Sequence, residues 1–219
     1  MFDVFKLPGF LQRAFSRKEI WLIFLLFVGY FFTRLINLDK FPIFTDEGIY
    51  IHWAKIAWHD ATWRFISLTD GKQPLHIWGM IPFLKLFPNN SLLAGRLFSV
   101  ASGFVALVGV FTLLHYLFGK KAAFYGSFFY IFTPFYLFYD RMALIDSAVN
   151  AGFIWIFFFS ILLARTLRLD VALLYGITSG VSLLAKSSSK MFVALSFFAP
   201  VLFWNGKTNK PFVQKAVNF

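Results

Sequence analysis

Runs of apolar residues about as long as a lipid bilayer is thick recur along this chain, and no other feature narrows its fold so far. A hydrocarbon core of about 30 Å takes roughly 20 apolar residues in a helix. Six stretches approach that length: Ile20 to Asn37, Leu92 to Phe118, Ala122 to Tyr139, Ser147 to Ala164, Val171 to Ala185 and Met191 to Trp204. The fifth is the shortest. Lipid cannot satisfy exposed backbone N–H and C=O groups, and the strict alternation of a membrane barrel strand is absent, so helices are expected. With 59% apolar and 14% charged residues in 219, the chain reads as an all-α, polytopic transmembrane bundle of about six spans. No cleavage-site pattern precedes the first span, so it reads as retained.

Orientation follows from basic residues in the short loops. Lys6, Arg13, Arg17 and Lys18 precede the first span, Lys120 and Lys121 join the second to the third, and Arg165 and Arg168 join the fourth to the fifth. Lys207, Lys210 and Lys215 follow the sixth. All four clusters fall on one side, which predicts a cytoplasmic amino terminus. The net charge of +11 is then largely a topology signal facing anionic lipid, and membrane lipids rather than nucleic acid are its expected partners. The chain has no Cys, which removes disulfides and thiolate metal sites.

The acids distribute the other way. Asp39, Asp46, Glu47, Asp60, Asp70, Asp140 and Asp146 fall outside, against Asp3, Glu19 and Asp170 inside. The organisation is thus a basic segment 1–19, a membrane module 20–204 with an external loop 38–91, and a cytoplasmic tail 205–219. Within the loop, Ile49, Trp53, Ile56 and Ala57 recur at helical spacing, and a second apolar stretch, Leu75 to Phe87, is interrupted by Gly79 and Pro82. Trp53, Trp58, Trp63 and Trp78 lie here, as expected of amphipathic helices resting at headgroup level.

Carboxylates beside hydrocarbon are costly, so the adjacent pair Asp46-Glu47 asks for a partner or a substrate. Two readings stand. Thr45 caps a helix whose first turn the acids stabilise, or an ionised carboxylate there takes a proton from an acceptor hydroxyl. Lys72, in Gly71-Lys72-Gln73-Pro74, is either a solvated loop cation or a point charge for a phosphate oxygen. Arg96, one turn into the second span, and Arg141, beside Asp140, can pair with acids or hold phosphate. Arg34 can snorkel from the first span. Asp140 and Asp146 are six residues apart and would face directions about 120° apart on one helix, so a turn must intervene if they share a site. Asp146 also suits a helix amino terminus. Lys186 and Lys190 stand on the face that normally lacks basic residues, which motivates a lipid-phosphate contact.

A basic residue ending the first span, then Leu38-Asp39-Lys40-Phe41-Pro42, then Thr45-Asp46-Glu47-Gly48-Ile49-Tyr50 resembles the start of polytopic GT-C fold glycosyltransferases of the protein mannosyltransferase and aminoarabinose transferase type. The Lys72-Gln73-Pro74 turn, the Asp140-Arg141 to Asp146 segment and Leu184-Ala185-Lys186 are similar to that family's later landmarks, in order, across most of Ile20 to Trp204. The resemblance implies inverting transfer of a sugar from a polyprenyl-phosphate donor to a lipid or protein acceptor on the outer face, in the plasma membrane of a prokaryote. It implies Asp46 as catalytic carboxylate, Glu47 as its neighbour in an acidic pair, Lys72 as a ligand of the carrier phosphate, and Asp140 and Arg141 as a second external motif. Arg96, Asp146 and Lys186 complete the substrate-binding candidates. Members of the family usually carry about twice as many spans, so the chain is expected to be the amino-terminal half of an enzyme.

No cofactor is assigned. His52 and His76 lie near external acids without HExxH-like spacing, which leaves a divalent metal as the lesser alternative. Two other classes are weighed against the transferase: a transporter or lipid flippase, which tends to carry ionisable residues at mid-membrane in repeated halves, and a non-catalytic subunit that binds polyprenyl phosphate.

Overall fold

A computed structural model describes residues 15–199 and Val201. These residues form helices and turns with no strand among them. In chain order the helices are α1 (Arg17–Leu35), α2 (Thr45–His59), α3 (Leu75–Leu86), α4 (Ser91–Phe118), α5 (Lys120–Phe132), α6 (Pro134–Tyr139), α7 (Asp146–Thr166), α8 (Leu169–Ala185) and α9 (Ser189–Ser196). Helices α4 and α7 are long and apolar enough to cross a membrane, and α3 and α8 are shorter apolar helices. The architecture is a helical membrane bundle.

The expected spans map onto α1, α4, α7 and α8, with two differences. The third is divided: α5 stops at Phe132 and α6 restarts at Pro134, because proline lacks the N–H that would continue the ladder but suits a first helical turn. The sixth begins as α9, and its carboxyl-terminal part lies outside the described residues, as do most of segments 1–19 and 205–219.

Helix α4 is the hub, packing against α5 and α7. Lipid supplies little hydrophobic drive between helices, so close approach of small residues carries the association. Gly95, Ser99, Gly103 and Ala106 are buried along α4. At Gly103 an added Cβ would collide with the Asp140 carboxylate and the Tyr30 hydroxyl, and at Gly109 with Ile154 and Trp155.

Helices α2 and α3 form a hairpin on one end of the bundle. Tyr50, Ile51, Ala54, Ile77, Met80 and Leu84 pack there with Ala94 and the turn Met142–Ile145. The interruption expected between Leu75 and Phe87 does not occur: α3 runs through Gly79 and Pro82. Gly79 serves packing instead, since a Cβ there would meet the Phe98 ring. The opposite end gathers basic residues. Lys120 pairs with Glu19 at 2.9 Å, and Arg165 lies over the Tyr116 ring at 4.9 Å.

Candidate active site

Both members of the Asp46-Glu47 pair start α2, but helical geometry turns successive side chains about 100° apart, so they part company. Glu47 points inward. Its Oε1 accepts from Arg96 Nε at 2.8 Å and its Oε2 from Arg96 Nη2 at 2.8 Å, with both side chains fully buried. The backbone N–H of Ala143 donates to Oε1 at 2.6 Å, and that of Phe44 to Oε2 at 2.9 Å. Glu47 thereby closes the start of α2, whereas Thr45 is its first helical residue and makes no side-chain cap. The remaining Arg96 donors reach the carbonyls of Leu38, Phe41 and Pro42. All five guanidinium N–H groups are therefore engaged. Burial acts to raise the Glu47 carboxyl, but the Arg96 guanidinium and the two backbone donors outweigh it and hold the group below the usual carboxylate range.

A second buried pair lies at the α6–α7 junction. Asp140 is held by Arg34 at 3.4 Å, by Ser147 Oγ at 2.9 Å and by Tyr30 at 3.3 Å. The turn required between Asp140 and Asp146 is present, with α6 ending at Tyr139 and α7 starting at Asp146. Arg141 turns toward α1 and donates to the carbonyls of Thr33, Ile36 and Asn37, where the helix dipole is negative. Its guanidinium also lies over the Phe41 ring at 5.0 Å.

Asp46 faces the other way. Half-buried on the first turn of α2, it has neither an ion pair nor a side-chain hydrogen bond among the described residues. One turn further on the same face, Tyr50 is buried. Its hydroxyl is pushed up to about 12 by burial and then by the charges of Asp46, Asp146 and Asp70. The charges of three acids, from α2, the α2–α3 connection and α7, thus reach one phenol. Two cations lie in the segments that meet at the α8–α9 corner. Lys186, at the end of α8, lies 3.6 Å from Asp146. Lys72 follows Gly71, whose φ of 68° is the left-handed conformation a glycine permits, and it forms no ion pair among the described residues. Gln73 Nε2 donates to Ser187 Oγ at 3.0 Å, tying the Lys72 turn to the corner between α8 and α9.

Beneath this cluster an apolar groove of about 500 Å³ runs from Leu75 between α4, α7 and α8, lined among others by Phe98, Ala148, Trp155, Ile177 and Val181. The residues lining this groove run from Leu75 to Ser182, and residues 71–218 match the family of dolichyl-phosphate-mannose-protein mannosyltransferases. The chain belongs to that family. This mannosyltransferase-family match supports a GT-C glycosyltransferase-like membrane protein, and it begins after the Asp46-Glu47 pair. No curated protein and no solved structure matches the chain.

Of the residues nominated from sequence, Asp46, Lys72, Asp146 and Lys186 lie around or beside Tyr50 and the α8–α9 corner. Glu47, Arg96, Asp140 and Arg141 are tied to the scaffold behind them. Tyr50 was not singled out from sequence, although its place four residues after Asp46 puts it on the same helical face. His76 is fully buried against Tyr50 and Phe98, with the Ala143 backbone acting on its ring. Burial pushes its imidazole down to about 4, so it is neutral at physiological pH. No cluster of three metal-donor side chains occurs among the described residues.

Proposed function

We propose that this chain transfers a sugar from a polyprenyl-phosphate carrier to an acceptor hydroxyl at the outer membrane face, with inversion at the anomeric carbon and the amino terminus in the cytoplasm. The single observation that carries the reading is the unpartnered Asp46 carboxylate, whose charge reaches the buried Tyr50 together with that of Asp146, while Lys186 pairs with Asp146 and Lys72 lies in the turn tied to the same α8–α9 corner. The family match supports glycosyl transfer in general.

The acceptor oxygen attacks the anomeric carbon as its proton passes to Asp46, acting as general base. The carbon–oxygen bond to the carrier phosphate breaks, and the phosphate leaves with the electron pair. Phosphate needs charge compensation rather than a proton, which Lys72 and Lys186 supply. Burial, and then the charges of the neighbouring acids, raise the Tyr50 hydroxyl and keep it protonated, so it serves as a hydrogen-bond donor to the sugar or phosphate. The apolar groove beneath Leu75 accommodates the prenyl chain. Glu47, Arg96, Asp140 and Arg141 hold α2 and the α6–α7 turn in place.

The test is transfer from a labelled polyprenyl-phosphate sugar in membranes carrying the chain. Asp46→Asn is expected to abolish transfer at unchanged protein level, and a fully active Asp46→Asn variant would overturn the reading.

A further inference from the structure

At the far end of α2 from Asp46, a cavity of about 380 Å³ opens between α2, the short turn Ala61–Trp63 and α3. Eleven residues of helix at 1.5 Å each place Ala57 about 16 Å from Asp46 along the axis, so this is a separate pocket. Its walls are Trp58, Phe65, Trp78 and Ile81, and its only charged lining residues are Arg64 and Lys85. Neither cation forms an ion pair among the described residues. No acid lines the cavity.

The aromatic walls are fixed rather than loose. Trp78 Nε1 donates to the carbonyl of Arg64 at 2.6 Å, and Phe65 meets the Trp78 ring edge-on at 5.1 Å. The backbone that carries Arg64 is therefore held against α3, which carries Lys85. Lys85 sits in the last turn of α3, where the helix dipole favours a cation. That explains one charge and leaves both the second cation and the space between them unexplained.

The rim shows which anion belongs there. Trp63, Phe65, Leu68, Leu86 and Phe87 are all exposed around this end of the hairpin, an apolar and aromatic border suited to the interfacial layer of a bilayer. A soluble anion would gain nothing from it.

We propose that this cavity binds the phosphate headgroup of an anionic membrane lipid, with Arg64 and Lys85 on the phosphate, Trp58 and Trp78 against the glycerol backbone, and the acyl chains leaving over the exposed rim. The site anchors the α2–α3 hairpin to the leaflet at a point remote from Asp46.

The purified full chain in detergent, titrated with phosphatidylglycerol or phosphatidylcholine of the same acyl chains and read by native mass spectrometry, tests this. Phosphatidylglycerol adducts are expected to be retained over phosphatidylcholine, and Arg64→Gln/Lys85→Gln is expected to weaken that retention roughly tenfold or more. Lys55→Gln, at an exposed position of α2 outside the cavity lining, is expected to leave it unchanged. Equal retention of the two lipids, equal retention by wild type and double variant, or displacement by inorganic phosphate alone would overturn the proposal. If the double variant does not fold, Arg64→Gln alone, at an exposed position, carries the same comparison with an expected loss of roughly fivefold.

Discussion

Arg96 grips Glu47 through two bonds of 2.8 Å with both side chains sealed from solvent, and this pair joins the first turn of α2 to the first turns of α4. Removing one partner of such a pair strands a buried charge, which costs about 3–5 kcal/mol. Arg96→Met is expected to lower the unfolding temperature in detergent far more than Arg64→Gln. Arg96→Lys is not a conservative replacement, because a lysine cannot supply five planar donors.

Asp46→Asn is expected to behave in the opposite way. The carboxylate has no partner to lose, so stability should stay within about 0.5 kcal/mol, as for surface changes. Loss of a general base should cost about 10²–10⁴ in turnover. Measuring unfolding and transfer on one preparation separates the two outcomes; a parallel loss of both would return Asp46 to a structural role.

Lys72→Ala and Lys186→Ala are expected to weaken donor use while leaving the fold intact. Increased KM for the polyprenyl-phosphate sugar, with little change for acceptor, is the expected signature in steady-state kinetics. Identical constants in both variants would remove the phosphate role.

The buried His76 makes a pH prediction. Its folded pKa of about 4 lies below the ordinary 6.5, so the unfolded chain binds the proton more readily. The stabilisation is complete above pH 6.5 and is lost as pH falls toward 4, by about 3 kcal/mol in all. Denaturation midpoints of His76→Leu should be flatter than wild type across that window, and parallel curves would show that another group titrates there.

Gly103→Ala is expected to destabilise by about 1–3 kcal/mol through overpacking. The new methyl meets Asp140 and Tyr30, whose mutual contacts with Arg34 leave no room to move. Unfolding of the purified variant in detergent checks it, and an unchanged midpoint would mean that the α1–α4–α7 contact yields more easily than its packing implies.

Much of this architecture was legible because membrane solvation leaves so few choices: long apolar runs gave α4, α7 and α8 nearly residue for residue. Asp46, Lys72, Asp146 and Lys186 could be nominated from charge on an apolar background. What could not be read was direction. Sequence places Asp46 and Glu47 together, yet only packing against Arg96 decides that one carboxylate is consumed by the scaffold and the other left open. The same holds for Arg141, whose hydrogen bonds to the end of α1 depend on contacts more than 100 residues apart. Gly79 and Pro82 looked like breakers because local propensity ignores Phe98, against which the helix is pressed.

The bond from Gln73 to Ser187 spans 114 residues of sequence and is exposed to solvent. A neutral bond of this kind contributes only about 1 kcal/mol, so thermal motion opens it often. The two lysines stand on either side of that weak latch, one on the hairpin and one on the helical corner. Their separation thus rests on a single neutral contact, whereas the Arg96–Glu47 pair behind is fastened by two buried charged bonds.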